Sequence, residues 1–115
     1  MKKRSTNCVR ESRLRWGLST KDLSKLLGRH ASTVSRLERR ETTPTLRAAF
    51  GCEVVFGVPP EAMFPSLYEG VEEVVMARAA RLYASLEGRT DRRSVRLKKL
   101  LDEMVKRAKG NADVA

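Results

Sequence analysis

Apolar residues along this chain recur at steps of three and four, and short polar or glycine-containing breaks interrupt them. Such steps return side chains to one side of a helix, so the pattern predicts helices throughout and no strand. A first helix is predicted from about Asn7 to Trp16, capped by Asn7 or Thr6 and stopped by Gly17. Its apolar side is thin: Val9 and Trp16, with Cys8 and Leu14 beside them. Leu18-Ser19-Thr20-Lys21-Asp22 reads as a capping box with Leu18 as a staple onto Leu23. The second helix then places Leu23, Leu26 and Leu27 on one side and ends at Gly28.

A third helix follows from about Ala31 to Arg39, with only Val34 and Leu37 to bury. Pro44 makes the preceding residues a loop, and Thr45 caps a fourth helix from Leu46 to Phe56. Its predicted buried residues are Leu46, Ala49, Phe50, Cys52, Val55 and Phe56, and Gly57 closes it. A short fifth helix lies within Val58 to Phe64 and is halted by Pro65. Ser66-Leu67-Tyr68-Glu69 is a second capping box, opening a long helix to about Leu86 that Gly88 stops. Thr90 or Asp91 opens a last helix, with Leu97, Leu100, Leu101, Met104, Val105 and Ala108 on one side.

The architecture expected is all-α, divided into a basic arm (1–6), a compact domain (7–65), a helical extension (66–109) and a tail (110–115). The 115 residues allow one small domain with an appendage, and 5% aromatic content implies a core of Leu, Val and Ala. The net charge of +10 is uneven. Residues 1–40 hold 12 Lys/Arg against 3 Asp/Glu, 41–77 hold 1 against 6, and 78–115 hold 11 against 5. Two basic ends around an acidic middle attract polyanions. No apolar run is long enough to span a bilayer. MKKRSTN lacks the apolar stretch of a secretory signal, so the cytoplasm is the expected location and no membrane partner is expected. Cys8 and Cys52 form no metal or redox spacing and read as reduced small hydrophobes.

The third helix poses the functional question, since HASTVSRLERR has far more polar groups than its two core residues need. Two short helices joined by a tight turn, the second polar on its outer side, describe a helix-turn-helix. Small Ser24 allows the helices to cross closely, and Gly28 supplies the left-handed turn. Val34 and Leu37 then pin the third helix, leaving Ala31, Ser32, Ser35 and Arg36 to face outward where a major groove would be met.

The stretch GLSTKDLSKLLGRHASTVSRLERRETTPTLRAAFGCEVVFGVPPEAMF, with Arg10 and Arg13 ahead of it, resembles the XRE-type, lambda-repressor-like family over about residues 7–64. The resemblance implies a five-helix DNA-binding domain that acts as a homodimer on a two-fold-symmetric site in double-stranded DNA. Carried over by position, it implies base reading by Ala31, Ser32, Ser35 and Arg36. Arg36 can fork onto guanine, though a solvated Arg or one paired with a nearby Glu is the competing reading. Thr20, where many relatives have Gln, is a phosphate neighbour through its hydroxyl and the helix amides. Arg10, Arg13, Lys21, Thr33, Arg39, Arg40, Thr42 and Thr43 are the other phosphate candidates, and plain solvation competes at each. His30 reads as a turn residue at the cap of the third helix.

Departures from the family pattern are Arg29 at a usually buried Val or Ile, Ser12 for Leu, Glu53 for a small residue and Arg40 for Gly. Arg29 must turn outward or the turn must shift, and a positive φ at Arg40 would cost about 1 kcal/mol. These leave the operator sequence open.

The two extension helices either form a hairpin packed on the domain or pair with a second copy. A dimer would hold two recognition helices about 34 Å apart. Its expected seam is Val71, Val74, Leu82, Leu86, Leu97, Leu101 and Met104. The strongly basic last helix is a solvated face, a second DNA contact or a dock for an acidic partner. Glu69, Glu72 and Glu73 lack metal or catalytic partners, and no nucleophile–base pair or phosphate loop appears, so no enzyme, cofactor or metal is expected. The reading is a sequence-specific transcription regulator, most simply a repressor. The alternative is an antitoxin-like adaptor that grips a protein through the extension. RNA binding ranks third, because aromatics for stacking are few.

Overall fold

The computed structural model describes residues 7–114, with side chains through residue 110. The expected arm and Ala115 lie outside the described residues. Seven helices and no strand occur among those described. They are α1 (Val9–Arg15), α2 (Thr20–Leu27), α3 (Ala31–Glu38), α4 (Leu46–Phe56), α5 (Pro60–Met63), α6 (Pro65–Ser85) and α7 (Arg92–Val114). The chain divides into two compact units, one up to Glu69 and one from Gly70 onward.

Local chemistry explains most boundaries in the first unit. The Ser19 hydroxyl accepts from the Asp22 amide at 3.0 Å while the Asp22 carboxylate accepts from the Ser19 amide at 2.9 Å. Both sides of the capping box are therefore formed at the start of α2. Gly28 ends α2 at φ 66°, and the Thr45 hydroxyl accepts from Ala48 at 3.1 Å to open α4. The Asn7 side-chain oxygen accepts from the Val9 amide at the start of α1 at 3.3 Å, as a cap would, and the residue does more than that. Its side-chain amide donates to the Leu37 carbonyl at 3.0 Å, tying the start of α1 to the end of α3.

The core is Val9, Leu23, Val34, Leu37, Ala49, Cys52, Met63 and Phe64, with Cys8, Leu27, Val55, Phe56 and Val58 packed against it. Several residues expected inside are exposed. Trp16 is 69% exposed because α1 ends at Arg15 and the chain turns away there. Leu46 and Phe50 are exposed together with Val54. Steps of four put these three on one α4 face, turned from Ala49 and Cys52. On α2 the inner side is Leu23, Ser24 and Leu27, and Leu26 is rotated out. The Ser24 hydroxyl is satisfied within its own helix, donating to the Lys21 carbonyl at 2.7 Å.

Two boundaries near the extension differ from expectation. Pro65 opens α6 instead of only halting α5, so Ser66 lies inside the helix and not at its cap. A proline in the first helical position gives up an N–H that no turn would have bonded. Helix α7 runs through Gly110 to Val114, past the end expected at 109.

In the second unit, Gly88 turns the chain at φ 78° after Leu86. Asp91 then caps α7, accepting from the Ser94 amide at 3.1 Å and the Ser94 hydroxyl at 2.7 Å. Leu86, Ser94 and Leu101 are buried. A groove of about 460 Å³ between α6 and α7 is lined by Met76, Ala79, Ala80, Tyr83, Leu101, Asp102 and Val105. None of the 21 residues of α6 is fully buried.

Candidate nucleic-acid interface

Helix α3 is a two-sided object. Its eight residues turn by about 100° each, which sets Ser32 and Arg36 opposite the buried Val34 and Leu37. Ala31, Ser32, Thr33 and Arg36 are exposed, and Ser35 is half-buried. His30, the residue before the helix, is exposed and makes no side-chain capping bond. Beside it Arg29 is exposed, turned outward as a charge in that position must be. The outward side of α3 thus offers hydroxyls, a methyl group and a guanidinium, with nothing else of the fold required of Ser32 or Arg36.

Rigidity comes from α1 and α2. The Arg13 guanidinium meets the Glu38 carboxylate through two bonds, Nε to Oε2 at 2.7 Å and Nη2 to Oε1 at 3.0 Å. Its third bond, from Nη1, goes to the Leu18 carbonyl at 2.9 Å. The two side chains are only 11% and 7% exposed. The hydrogen bond that Arg13 donates to Glu38 pushes the Arg13 pKa up, against the opposing pull of burial, so the guanidinium stays charged. Arg13, expected at a phosphate, is instead the bracket that holds α1, the turn before α2, and α3 together. All its donors aimed at Glu38 and Leu18 point into the domain, which is the physical reason for setting it apart from the phosphate candidates.

The other phosphate candidates lie on the surface. A groove of about 440 Å³ is lined by Arg10, Arg13, Ser35, Glu38, Arg39 and Arg40. Arg10, Arg39, Arg40, Lys21, Thr33, Thr42 and Thr43 are exposed, and Thr20 is half-buried at the start of α2. Arg39 is partly neutralised by Glu41 at 2.8 Å. Arg40 sits at φ 63°, the one positive φ outside glycine among the described residues. The sequence reading singled out neither Glu38 nor the Asn7 bond to α3. For Glu38 a signal existed, because steps of one and four from Leu37 and Val34 put position 38 on the inner side, where a carboxylate needs a cation.

No group of three or more His, Cys, Asp or Glu among the described residues is arranged to hold a metal. None of the described helices is long and apolar enough to cross a membrane. Burial pushes the Cys52 thiol up to about 11, which leaves it a neutral core residue at ordinary pH.

A short outward helix, carried on a tight Gly28 turn by a helix locked beneath it, defines a DNA-binding domain of the helix-turn-helix class. Residues 9–63 match the family model described as Helix-turn-helix. That segment belongs to the XRE-type, lambda-repressor-like family, and with it the chain carries the DNA-binding domain of a transcription regulator. No curated protein and no solved structure matches the chain.

Proposed function

We propose that this protein is a sequence-specific transcription regulator, most simply a cytoplasmic repressor, that binds a palindromic operator as a homodimer with α3 in the major groove. The observation that carries the reading is the outward presentation of Ser32 and Arg36 by a helix anchored through Val34, Leu37 and the Arg13–Glu38 pair. Ala31, Ser32, Ser35 and Arg36 meet base edges in this reading. Arg10, Thr20, Lys21, Thr33, Arg39, Arg40, Thr42 and Thr43 approach phosphates. No catalytic step, cofactor or metal enters it.

The dimer seam is narrower than the sequence suggested. Leu86 and Leu101 are 4% and 5% exposed within the chain and so are taken up by its own packing. Val71, Val74, Val75 and Leu82 on α6 remain exposed, as does Leu100 on α7, with Leu97 and Met104 half-buried. These residues form the proposed seam. The same exposed valines favour the second reading, an adaptor that grips another protein.

Binding-site selection from random duplexes separates the readings. A palindromic consensus supports the dimeric regulator, and no enrichment at low ionic strength overturns it in favour of the adaptor. With the selected site in hand, Arg36→Ala is expected to lose about 1–3 kcal/mol of discrimination at one base pair. Unchanged discrimination in that variant removes Arg36 from base reading.

A further inference from the structure

Helix α7 carries a row of cations that the proposed function leaves idle. Arg92, Arg96, Lys99 and Arg107 share one side of the helix, opposite the buried Ser94 and Leu101. All four are exposed, and no acid or hydrogen-bond acceptor of the described chain engages them. Three nearby cations are occupied. Arg89 lies 3.6 Å from Asp91, Lys98 donates to the Arg89 carbonyl at 2.8 Å, and Lys106 lies 3.9 Å from Glu103. The rise from Arg92 to Arg107 is about 22 Å along the helix axis. Glu103 lies on the same side between Lys99 and Arg107, but its ion pair is with Lys106. The row therefore keeps an excess of positive charge that repels itself, and a polyanion relieves that repulsion.

We infer that this row is a second duplex contact, gripping phosphates beside the operator; the inference rests on the DNA-binding reading above. Three properties favour duplex phosphate. Helix α7 has no aromatic residue, which single-stranded nucleic acid would need for stacking and which protein hot spots favour. The cationic heads lie along one side of the helix, with rises of about 6, 4.5 and 12 Å between them, and suit a line of phosphate charges. Finally, the helix is covalently joined to a DNA-binding domain, so flanking phosphates are presented at high effective concentration once the operator is bound.

The test compares the full chain with its quadruple variant R92Q/R96Q/K99Q/R107Q on the selected operator and on an unrelated duplex, over a range of salt concentrations. The variant is expected to make the slope of log affinity against log salt shallower by about two to four, at roughly 0.9 per phosphate contact. Affinity at low salt should fall about tenfold or more on both duplexes, with the preferred sequence unchanged. A charge-keeping variant, R92K/R96K/R107K, should retain the native slope, which separates loss of charge from loss of fold. An unchanged slope in the glutamine variant overturns this inference while the native chain's binding leaves the DNA reading standing. So does a variant that keeps duplex affinity yet loses binding to an acidic peptide or to anionic vesicles. A native chain that binds no duplex overturns both.

Discussion

At position 13 an arginine on a basic surface helix looks like one more phosphate ligand, and its geometry makes it something else. A guanidinium with a carboxylate on two of its nitrogens and a carbonyl on the third is a joint between helices. Only a thin layer of protein covers the pair, so its energetic weight should lie between surface and deeply buried pairs. Arg13→Ala is expected to destabilise the domain by about 2–3 kcal/mol in urea titration, with Arg13→Met/Glu38→Leu losing clearly less. A double variant as unstable as the single one would refute the pairing account. Arg40 is the opposite case, a residue whose backbone carries strain. At φ 63° an L side chain crowds its own carbonyl, and Arg40→Gly should stabilise by about 1 kcal/mol, measured by the same titration. That gain should come with weaker binding to all duplexes, since a surface cation is lost.

Elements begin and end here where side chains can satisfy the first free amides. Thr45→Ala should therefore cost about 1 kcal/mol, read as a lower thermal midpoint, by leaving the Ala48 amide without its acceptor. Two aspartates give the elements a pH dependence. The Asp22 carboxyl is held below the usual range, chiefly by the Ser19 backbone amide, and Asp91 chiefly by the Ser94 hydroxyl. A carboxyl with a lower pKa when folded favours the folded state above its unfolded value of about 4. That contribution is lost as pH falls through the folded value. Asp22→Asn and Asp91→Asn should accordingly flatten the fall in thermal midpoint between pH 6 and about pH 3. An acid limb identical to the native one would argue against the caps as its source. Most element boundaries were legible because such caps are local. The start of α6 was not, since Phe64-Pro65-Ser66 offers two plausible openings and burial of Phe64 at 5% exposure accompanies the earlier one.

For the whole molecule, the question is what the second unit does with its uncovered apolar residues. Val71 is 54% exposed and Val74, Val75 and Leu82 are nearly as open, on a helix that buries nothing completely. In the proposed dimer these residues meet their copies. Val71→Glu/Leu82→Glu should then give a monomer in sedimentation velocity where the native chain sediments as a dimer. Operator affinity should fall while binding to a single half-site persists, because each monomer retains its own α3. A native chain that sediments as a monomer at micromolar concentration would leave the valines to another partner.

By itself the sequence determined the helical class, the helix-turn-helix and the outward polar side of α3. Those follow from periodicity, caps and a glycine turn, all of which act within a few residues. Tertiary structure decided which of several equivalent-looking residues go inside: Arg13 and not Arg10, Leu23 and Leu27 but not Leu26, Ala49 and not Phe50, Leu101 and not Leu100. Each choice depends on the angle at which one helix meets another, and a rotation of one residue about the axis, some 100°, exchanges a core position for a surface one. No local pattern carries that angle, because it arises only when distant segments pack.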